Sequence, residues 1–122
     1  MKHLDTFTRA HIEALYFADT GEDDQPPTEA ELSEETRLDL AADCRSFWKR
    51  YWFYILSDQC KHGGTEEERA RSAGHDFWFT RNGHGAGFWD GDWPTYGDIL
   101  TEGSKSYGNI DLGIDDNGAI CI

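Results

Sequence analysis

Residues 74–90 constrain the fold more than any other part of the chain. The segment GHDFWFTRNGHGAGFWD holds four glycines, two histidines and five large aromatic side chains, together with one arginine and two aspartates. Aromatic side chains at this density require a core that buries them, and glycines let the backbone turn sharply or approach another element closely. This segment, called the aromatic-glycine box below, is therefore expected to form either the folding core or a site.

The length of 122 residues predicts one domain, residues 1–122, because a chain of this size has room for one hydrophobic core and not for two. No apolar run approaches the roughly 20 residues that span a bilayer, and no signal-peptide core follows Met1. Cys44, Cys60 and Cys121 are odd in number and irregular in spacing, which favours a reducing compartment over a disulfide framework. We expect no contact with membranes.

The charge balance excludes one large class of function. The chain carries 24 acidic and 11 basic residues and has a formal net charge of -13. A field of this sign repels nucleic acid and anionic lipid, so direct DNA or RNA binding is not expected. The same field attracts basic surfaces on other proteins.

The apolar spacing of the first half predicts two helices. The first spans residues 4–19, with apolar and aromatic side chains and His11 on one stripe. The motif Thr28-x-x-Glu31 predicts a capping box at the start of a long second helix, which Gly63-Gly64 ends.

A third helix is predicted from a second capping box, Thr65-x-x-Glu68, to a stop at Asn82-Gly83. Small residues on one face of this helix, among them Gly74, predict a close approach to a neighbouring helix. Residues 95–107 predict a weaker fourth helix.

The end of the chain predicts a β-hairpin. Isoleucine and leucine alternate with other residues in 110–114 and again in 120–122, and Asn117-Gly118 between them predicts a type I′ turn. Residues 85–89 predict a further short strand. The expected class is α+β, with three to four helices packed against a small antiparallel sheet that ends in a C-terminal hairpin.

The aromatic-glycine box supports two interpretations. A histidine beside a carboxylate can perform acid-base catalysis, so five side chains could form an enzyme or ligand site: His75, Asp76, Arg81, His84 and Asp90. No nucleophile motif accompanies them, which favours a structural box and a protein that is not an enzyme. In that interpretation the box fixes turns and helix ends through His75, Asp76, Trp78, Arg81, Asn82, His84, Phe88, Trp89 and Asp90.

Metal ligands are only weakly indicated. Cys60-x-His62 could combine with a histidine of the box, but the paired ligands typical of structural zinc are missing. Asp111, Asp115 and Asp116 resemble a fragment of a calcium loop without its ordered spacing. We expect neither a metal nor a cofactor.

The strongest candidate for binding is an acidic surface, since residues 19–39 hold nine carboxylates and one base, Arg37. These carboxylates are Asp19, Glu22, Asp23, Asp24, Glu29, Glu31, Glu34, Glu35 and Asp39. The end of the chain adds Asp98, Glu102, Asp111, Asp115 and Asp116. If the two sets share a face, the surface could imitate a row of phosphates and occupy a nucleic-acid-binding groove of another protein. A solvated acidic surface without a partner is the alternative.

The second helix ends in a dense group of aromatic residues. Trp52 and Phe53 fall off its buried stripe, so Trp48, Trp52 and Phe53 could leave an exposed patch. Such a patch could anchor a partner protein or a homodimer.

The box AGHDFWxTRNGHGAGFWD, residues 73–90, resembles a family of small acidic, uncharacterised proteins encoded by bacteriophages and plasmids. The resemblance continues through residues 97–101, Tyr107-Gly108 and the closing strand pair, and upstream through residues 7–16. Residues 45–54 depart from it, being richer in arginine, lysine and aromatic residues. The resemblance implies an origin in a mobile element and no particular mechanism.

These observations favour a phage or mobile-element accessory protein in the cytoplasm of a bacterial host. We expect it to bind and inhibit a host protein, such as a CRISPR, restriction or other DNA-handling component, through the acidic surface. The alternatives are a small enzyme or ligand-binding or metal-binding domain that uses the box, and a structural component of the virion.

Overall fold

The structure, a computed structural model, describes residues 1–122 and confirms the α+β class. It consists of four helices and one antiparallel pair of strands: α1 (Leu4–Asp19), α2 (Glu34–Ser57), α3 (Glu66–Arg81), α4 (Gly97–Lys105), β1 (Gly113–Ile114) and β2 (Ile120–Cys121). The strands face each other with Gly113 opposite Cys121 and Ile114 opposite Ile120. None of the helices combines the length and the apolar composition needed to cross a bilayer.

The contact between α1 and α3 is the most intimate in the fold. A β-carbon on Gly74 of α3 would collide with the backbone carbonyl oxygen of Phe7 and would lie 2.7 Å from the β-carbon of Ala10. Ala70 and Ala73, on the same face of α3, are fully buried. The predicted close approach is therefore confirmed, and it depends on the missing side chain of Gly74.

Three stacked phenylalanine rings, one from each of the long helices, form the centre of the core. The ring of Phe47 in α2 lies 4.2 Å from that of Phe77 in α3, and Phe7 of α1 lies within 5.8 Å of both. All three side chains are fully buried. Aromatic pairs of this kind contribute about 0.5–1.5 kcal/mol each beyond the burial of their area.

His11 is part of this core, as its place on the apolar stripe of α1 predicts. Its ring stacks on Phe77 at 4.6 Å, and neither ring nitrogen has a hydrogen-bond partner. Burial, and to a smaller extent the positive charge of Arg81, lowers the pKa of His11 to about 3. His11 is therefore a neutral core residue near pH 7.

Two predicted boundaries of α2 are wrong. The helix begins after Ser33, whose hydroxyl accepts the N–H of Thr36 at 3.1 Å, whereas Thr28 receives a hydrogen bond from the Thr20 hydroxyl. It ends at Ser57 rather than at Gly63-Gly64, because the carboxylate of Asp58 accepts the backbone N–H of Tyr96 at 2.6 Å. A local cap at Ser33 thus determines the start of α2, with Glu34 and Glu35 in its first turn, and a long-range hydrogen bond of Asp58 accompanies its end.

The predicted capping box of α3 is confirmed. The Thr65 hydroxyl accepts the N–H of Glu68 at 3.1 Å, and the Glu68 carboxylate accepts the N–H of Thr65 at 3.0 Å. Asn82 follows the last turn and Gly83 has a left-handed φ of 69°, so the predicted stop is confirmed as well.

The strand predicted at residues 85–89 does not form. The N–H of Phe88 donates to the Thr80 hydroxyl at 3.0 Å, and the N–H of Asp90 donates to the Gly87 carbonyl in a turn. The backbone groups that a strand would need are therefore used inside a loop.

The C-terminal hairpin forms, but its turn is not type I′. That turn requires positive φ at two residues, and only Gly118 has one, at 80°. The Asp115 carboxylate accepts the N–H groups of Asn117 and Ala119, both at 2.9 Å, and so closes a three-residue loop that ends in Gly118.

Replacement of Gly74 by alanine tests the helix contact. We expect Gly74→Ala to lower the free energy of unfolding by about 1–3 kcal/mol, because the added methyl group overpacks α1 even though alanine favours helix. Urea denaturation followed by tryptophan fluorescence measures the change. Gly85→Ala is the control, since a β-carbon there meets no atom within 4 Å. A Gly74→Ala protein as stable as the wild type would contradict the expected collision.

Candidate protein-binding surface

The five box residues considered as an enzyme site bind different partners. The closest contact of His75 is Glu13 of α1 at 3.4 Å, Arg81 binds Asp43 at 2.9 Å, and His84 binds Asp19 at 2.9 Å. Among the main surface pockets, only one is lined by any of the five, and that residue is His75. The structure therefore distributes these side chains instead of gathering them in one cleft.

Arg81 and Asn82 bind the chain that follows α4. The buried Arg81 guanidinium donates to the carbonyl oxygens of Gly108 at 3.0 Å and Tyr107 at 3.3 Å, and lies 5.0 Å from the centre of the Phe77 ring. The Asn82 side chain accepts the N–H of Ile110 at 2.7 Å. Both residues fix the start of the C-terminal segment against α3.

Asp19 fixes the end of α1. Its carboxylate accepts the indole N–H of Trp78 at 2.7 Å and lies 2.9 Å from the imidazole of His84. A negative charge is unfavourable at the C-terminal end of a helix, where the backbone carbonyls already carry partial negative charge. The two side chains of the box offset this cost, so Asp19 is a structural acid as well as a member of the acidic set.

The aromatic residues of the box are divided between core and surface. Trp78 and Phe88 are buried, whereas Trp89 is exposed. Phe17, on which the sequence analysis placed no role, is 85% exposed beside a pocket of about 530 Å³. Its position to one side of the apolar stripe of α1 is the signal that could have singled it out.

Asp76 holds the loop before α4. Its carboxylate accepts the indole N–H of the buried Trp93 at 2.7 Å. The pKa of Asp76 is raised to about 7. Burial is the main cause, and the negative charges of Asp90 and Asp92 add to the rise, whereas the hydrogen bond from the Trp93 indole opposes it. This carboxyl is therefore partly protonated near neutral pH.

The ligands considered for a metal have other partners. His62 binds Asp92 at 3.1 Å, and burial raises the pKa of the Cys60 thiol to about 11. No group of three or more histidine, cysteine, aspartate or glutamate side chains is arranged to hold a metal ion.

Two acidic segments lie side by side in the structure. The N–H of Ser33 donates to the carbonyl of Ile120 at 2.9 Å, and the N–H of Ile120 donates to the carbonyl of Glu31 at 2.8 Å. Leu32 and Ile120 thus form a parallel bridge between residues 20–33 and the hairpin. Asp24 and Asp111 line one shallow pocket of about 170 Å³ between the two segments.

Together these segments form what we call the acidic face. Residues 20–33 and 110–122 contain no lysine, arginine or histidine. They contribute eight carboxylates, seven of them on exposed residues and that of Asp115 on a half-buried one: Glu22, Asp23, Asp24, Glu29, Glu31, Asp111, Asp115 and Asp116. The structure thus makes neighbours of these two acidic segments, whereas Asp98 and Glu102, the other acids near the end of the chain, lie on α4.

The loop of the acidic face is held by its own hydrogen bonds. The N–H of Gly21 donates to the Pro26 carbonyl at 2.9 Å, and the hydroxyl of Tyr16 donates to the Ala30 carbonyl at 2.7 Å. The side chain of Gln25 donates to the Ala18 carbonyl at 3.3 Å. The carboxylates are therefore presented from an ordered backbone.

The remaining acids of the set lie elsewhere. Glu34, Glu35 and Asp39 are exposed on α2, and Glu34 pairs with Arg37 at 3.2 Å. The acidic set of nine therefore divides among Asp19, five residues of the loop and three residues of α2.

The aromatic patch is smaller than expected. Trp48 is buried in the core and cannot anchor a partner, whereas Trp52 is 48% exposed and Phe53 is 56% exposed. These two rings contact each other edge to face at 6.1 Å. Their neighbours in sequence, Lys49 and Arg50, are exposed bases, so this patch is basic and aromatic rather than acidic.

Comparison with known proteins gives no relative from which to transfer a function. No protein-family model matches the sequence, and no curated protein and no solved structure is significantly similar to the chain.

The raised pKa of Asp76 predicts a pH-dependent stability. Between about pH 4 and pH 7 the unfolded chain releases this proton before the folded protein does, so Asp76 makes the fold less stable as the pH rises. The lowered pKa of His11 acts in the opposite direction, so the comparison with a variant isolates Asp76. We expect the stability of Asp76→Asn relative to wild type to increase from pH 4 to pH 7 and then to level off.

Urea unfolding of both proteins across this pH range measures the difference. Asp98→Asn, which removes an exposed carboxylate of α4, is the control and should show little change with pH. A difference between Asp76→Asn and wild type that is the same at every pH would mean that the Asp76 carboxyl titrates normally in the folded protein.

Proposed function

We propose that this protein binds and inhibits a host protein through the acidic face, by occupying a basic surface that otherwise binds nucleic acid. The observation that carries the proposal is the juxtaposition of two segments with eight carboxylates and no base. Such a surface presents uninterrupted negative potential to a partner.

The order of the loop supports binding rather than simple solvation. The carboxylates of Glu22, Asp23 and Asp24 form no hydrogen bond or ion pair within the molecule, although the backbone that carries them is fixed by Gly21, Pro26 and Gln25. A backbone that is already ordered loses little further conformational entropy when its side chains meet a partner. The free carboxylates also accelerate encounters with a cationic groove, an effect that salt screens.

The biological setting rests on the resemblance of the box to phage and plasmid proteins. We place the protein in the cytoplasm of a bacterial host, where its target is a defence or DNA-handling protein such as a CRISPR or restriction component. An acidic inhibitor of this kind competes with DNA for the same groove, because its carboxylates replace the phosphates as partners of arginine and lysine.

Removal of three charges from the loop tests the proposal. We expect Glu22→Gln with Asp23→Asn and Asp24→Asn to weaken target binding about tenfold or more, since these carboxylates face the partner. Affinity capture from a bacterial lysate at about 0.05 M and about 0.5 M salt identifies the salt-sensitive target. The affinity of each variant for the purified target, and competition by duplex DNA, then measure the effect.

The matched control removes the same three charge types from elsewhere. Asp5→Asn with Asp98→Asn and Glu102→Gln neutralises exposed carboxylates on α1 and α4 and leaves the net charge equal to that of the loop variant. It should bind as the wild type does. If both variants lose the same amount of affinity for the target, net charge and not the acidic face governs binding. Binding to the target that neither salt nor duplex DNA weakens would contradict the proposal.

A further inference from the structure

The outer face of α2 is covered by no other element, and its charges divide along the helix. The first part of the helix exposes three acids, which are Glu34, Glu35 and Asp39. The middle exposes three bases, which are Arg45, Lys49 and Arg50, and the exposed Ala42 lies between the two groups. Arg37 is the one exposed base in the acidic part, and it pairs with Glu34 of the same helix. A helix divided in this way attracts a second copy that runs in the opposite direction.

The two sets of charges are arranged symmetrically about Ala42. For each acid before Ala42 there is a base at the same distance in sequence after Ala42. The pairs are Glu35 with Lys49, Glu34 with Arg50, and Asp39 with Arg45. Two α2 helices packed antiparallel about a two-fold axis at Ala42 therefore bring each acid to the level of a base of the other copy, and each pair occurs twice.

The same face carries apolar and charged side chains. Residues 35, 38, 42, 45, 49 and 52 follow one another at alternating spacings of three and four and therefore lie along one side of α2. Three of them are charged (Glu35, Arg45 and Lys49), so charge pairing, and not an apolar seam alone, would hold two copies together. Leu38 is 55% exposed and Trp52 is 48% exposed on this stripe. The small side chain of Ala42 lets the two backbones approach at the axis.

We infer that α2 is a homodimer interface, in which two copies of the chain pair antiparallel about Ala42 with Glu35 of one copy opposite Lys49 of the other. This interface goes beyond the proposed function, because its charge pairs lie on α2 and use no residue of the acidic face.

A charge-swap experiment tests the interface. Lys49→Glu places like charges opposite each other twice in the dimer, and Glu35→Lys does the same, so each single variant should raise the dimer dissociation constant about tenfold or more. The double variant Glu35→Lys/Lys49→Glu restores opposite charges and should dimerise like the wild type. Sedimentation equilibrium at about 0.05 M salt measures all four proteins, and circular dichroism checks that each is folded.

The control swap is Asp98→Lys/Lys105→Glu on α4, which changes exposed charges of the same types and should leave dimerisation unchanged. A wild-type protein that stays monomeric at about 100 μM would overturn the inference. Single variants that dimerise as well as the wild type, or a double variant that fails to recover, would overturn it too. None of these results depends on the target of the acidic face, because the measurement uses the protein alone.

Discussion

The close approach of α1 and α3 at Gly74 is the constraint on which the rest of the structure depends. It brings Phe7 and His11 onto the ring of Phe77, and α2 completes the aromatic stack from the other side with Phe47. A side chain at Gly74 would push the two helices apart and loosen every one of these contacts. The packing of the core therefore depends on the absence of a side chain at Gly74.

The same helix contact positions the acidic face. With α1 held against α3, Asp19 at the end of α1 receives hydrogen bonds from Trp78 and His84. The loop that follows therefore leaves the core at a fixed point, and its far end is fixed again where Leu32 bridges the buried Ile120 of the hairpin. An acidic loop that is tied at both ends keeps its charges in place, which is what recognition of a basic groove requires.

The sequence predicted those features that short-range interactions determine. The bounds of α1, the capping box at Thr65 and the stop after Arg81 are confirmed, because periodicity and caps involve residues within one or two turns of each other. The capping box predicted at Thr28 is wrong, because Ser33 caps the helix instead and accepts the N–H of Thr36. Residues 31–33 pair with β2, and nothing in the local sequence indicates a partner so far along the chain.

In the candidate site, too, the sequence predicted local features and not the contacts between distant residues. The composition identified the acidic segments, but only the fold shows that residues 20–33 and the hairpin are neighbours. The grouping of His75, Asp76 and His84 in sequence suggested a shared site, yet adjacent residues on a helix point in different directions. Their partners lie in two other parts of the chain: Glu13 and Asp19 on α1, and Trp93 in the loop before α4.

Amide hydrogen exchange in the unbound protein tests whether the loop and the hairpin are joined in a preformed acidic face. The N–H groups of Ser33 and Ile120 donate to each other's segment, so both should exchange slowly, as core helix amides do. Nuclear magnetic resonance resolves the two amides individually in the unbound protein. Exchange at the rate of an unprotected chain would show that loop and hairpin are not joined, and the acidic face would then lose its structural basis.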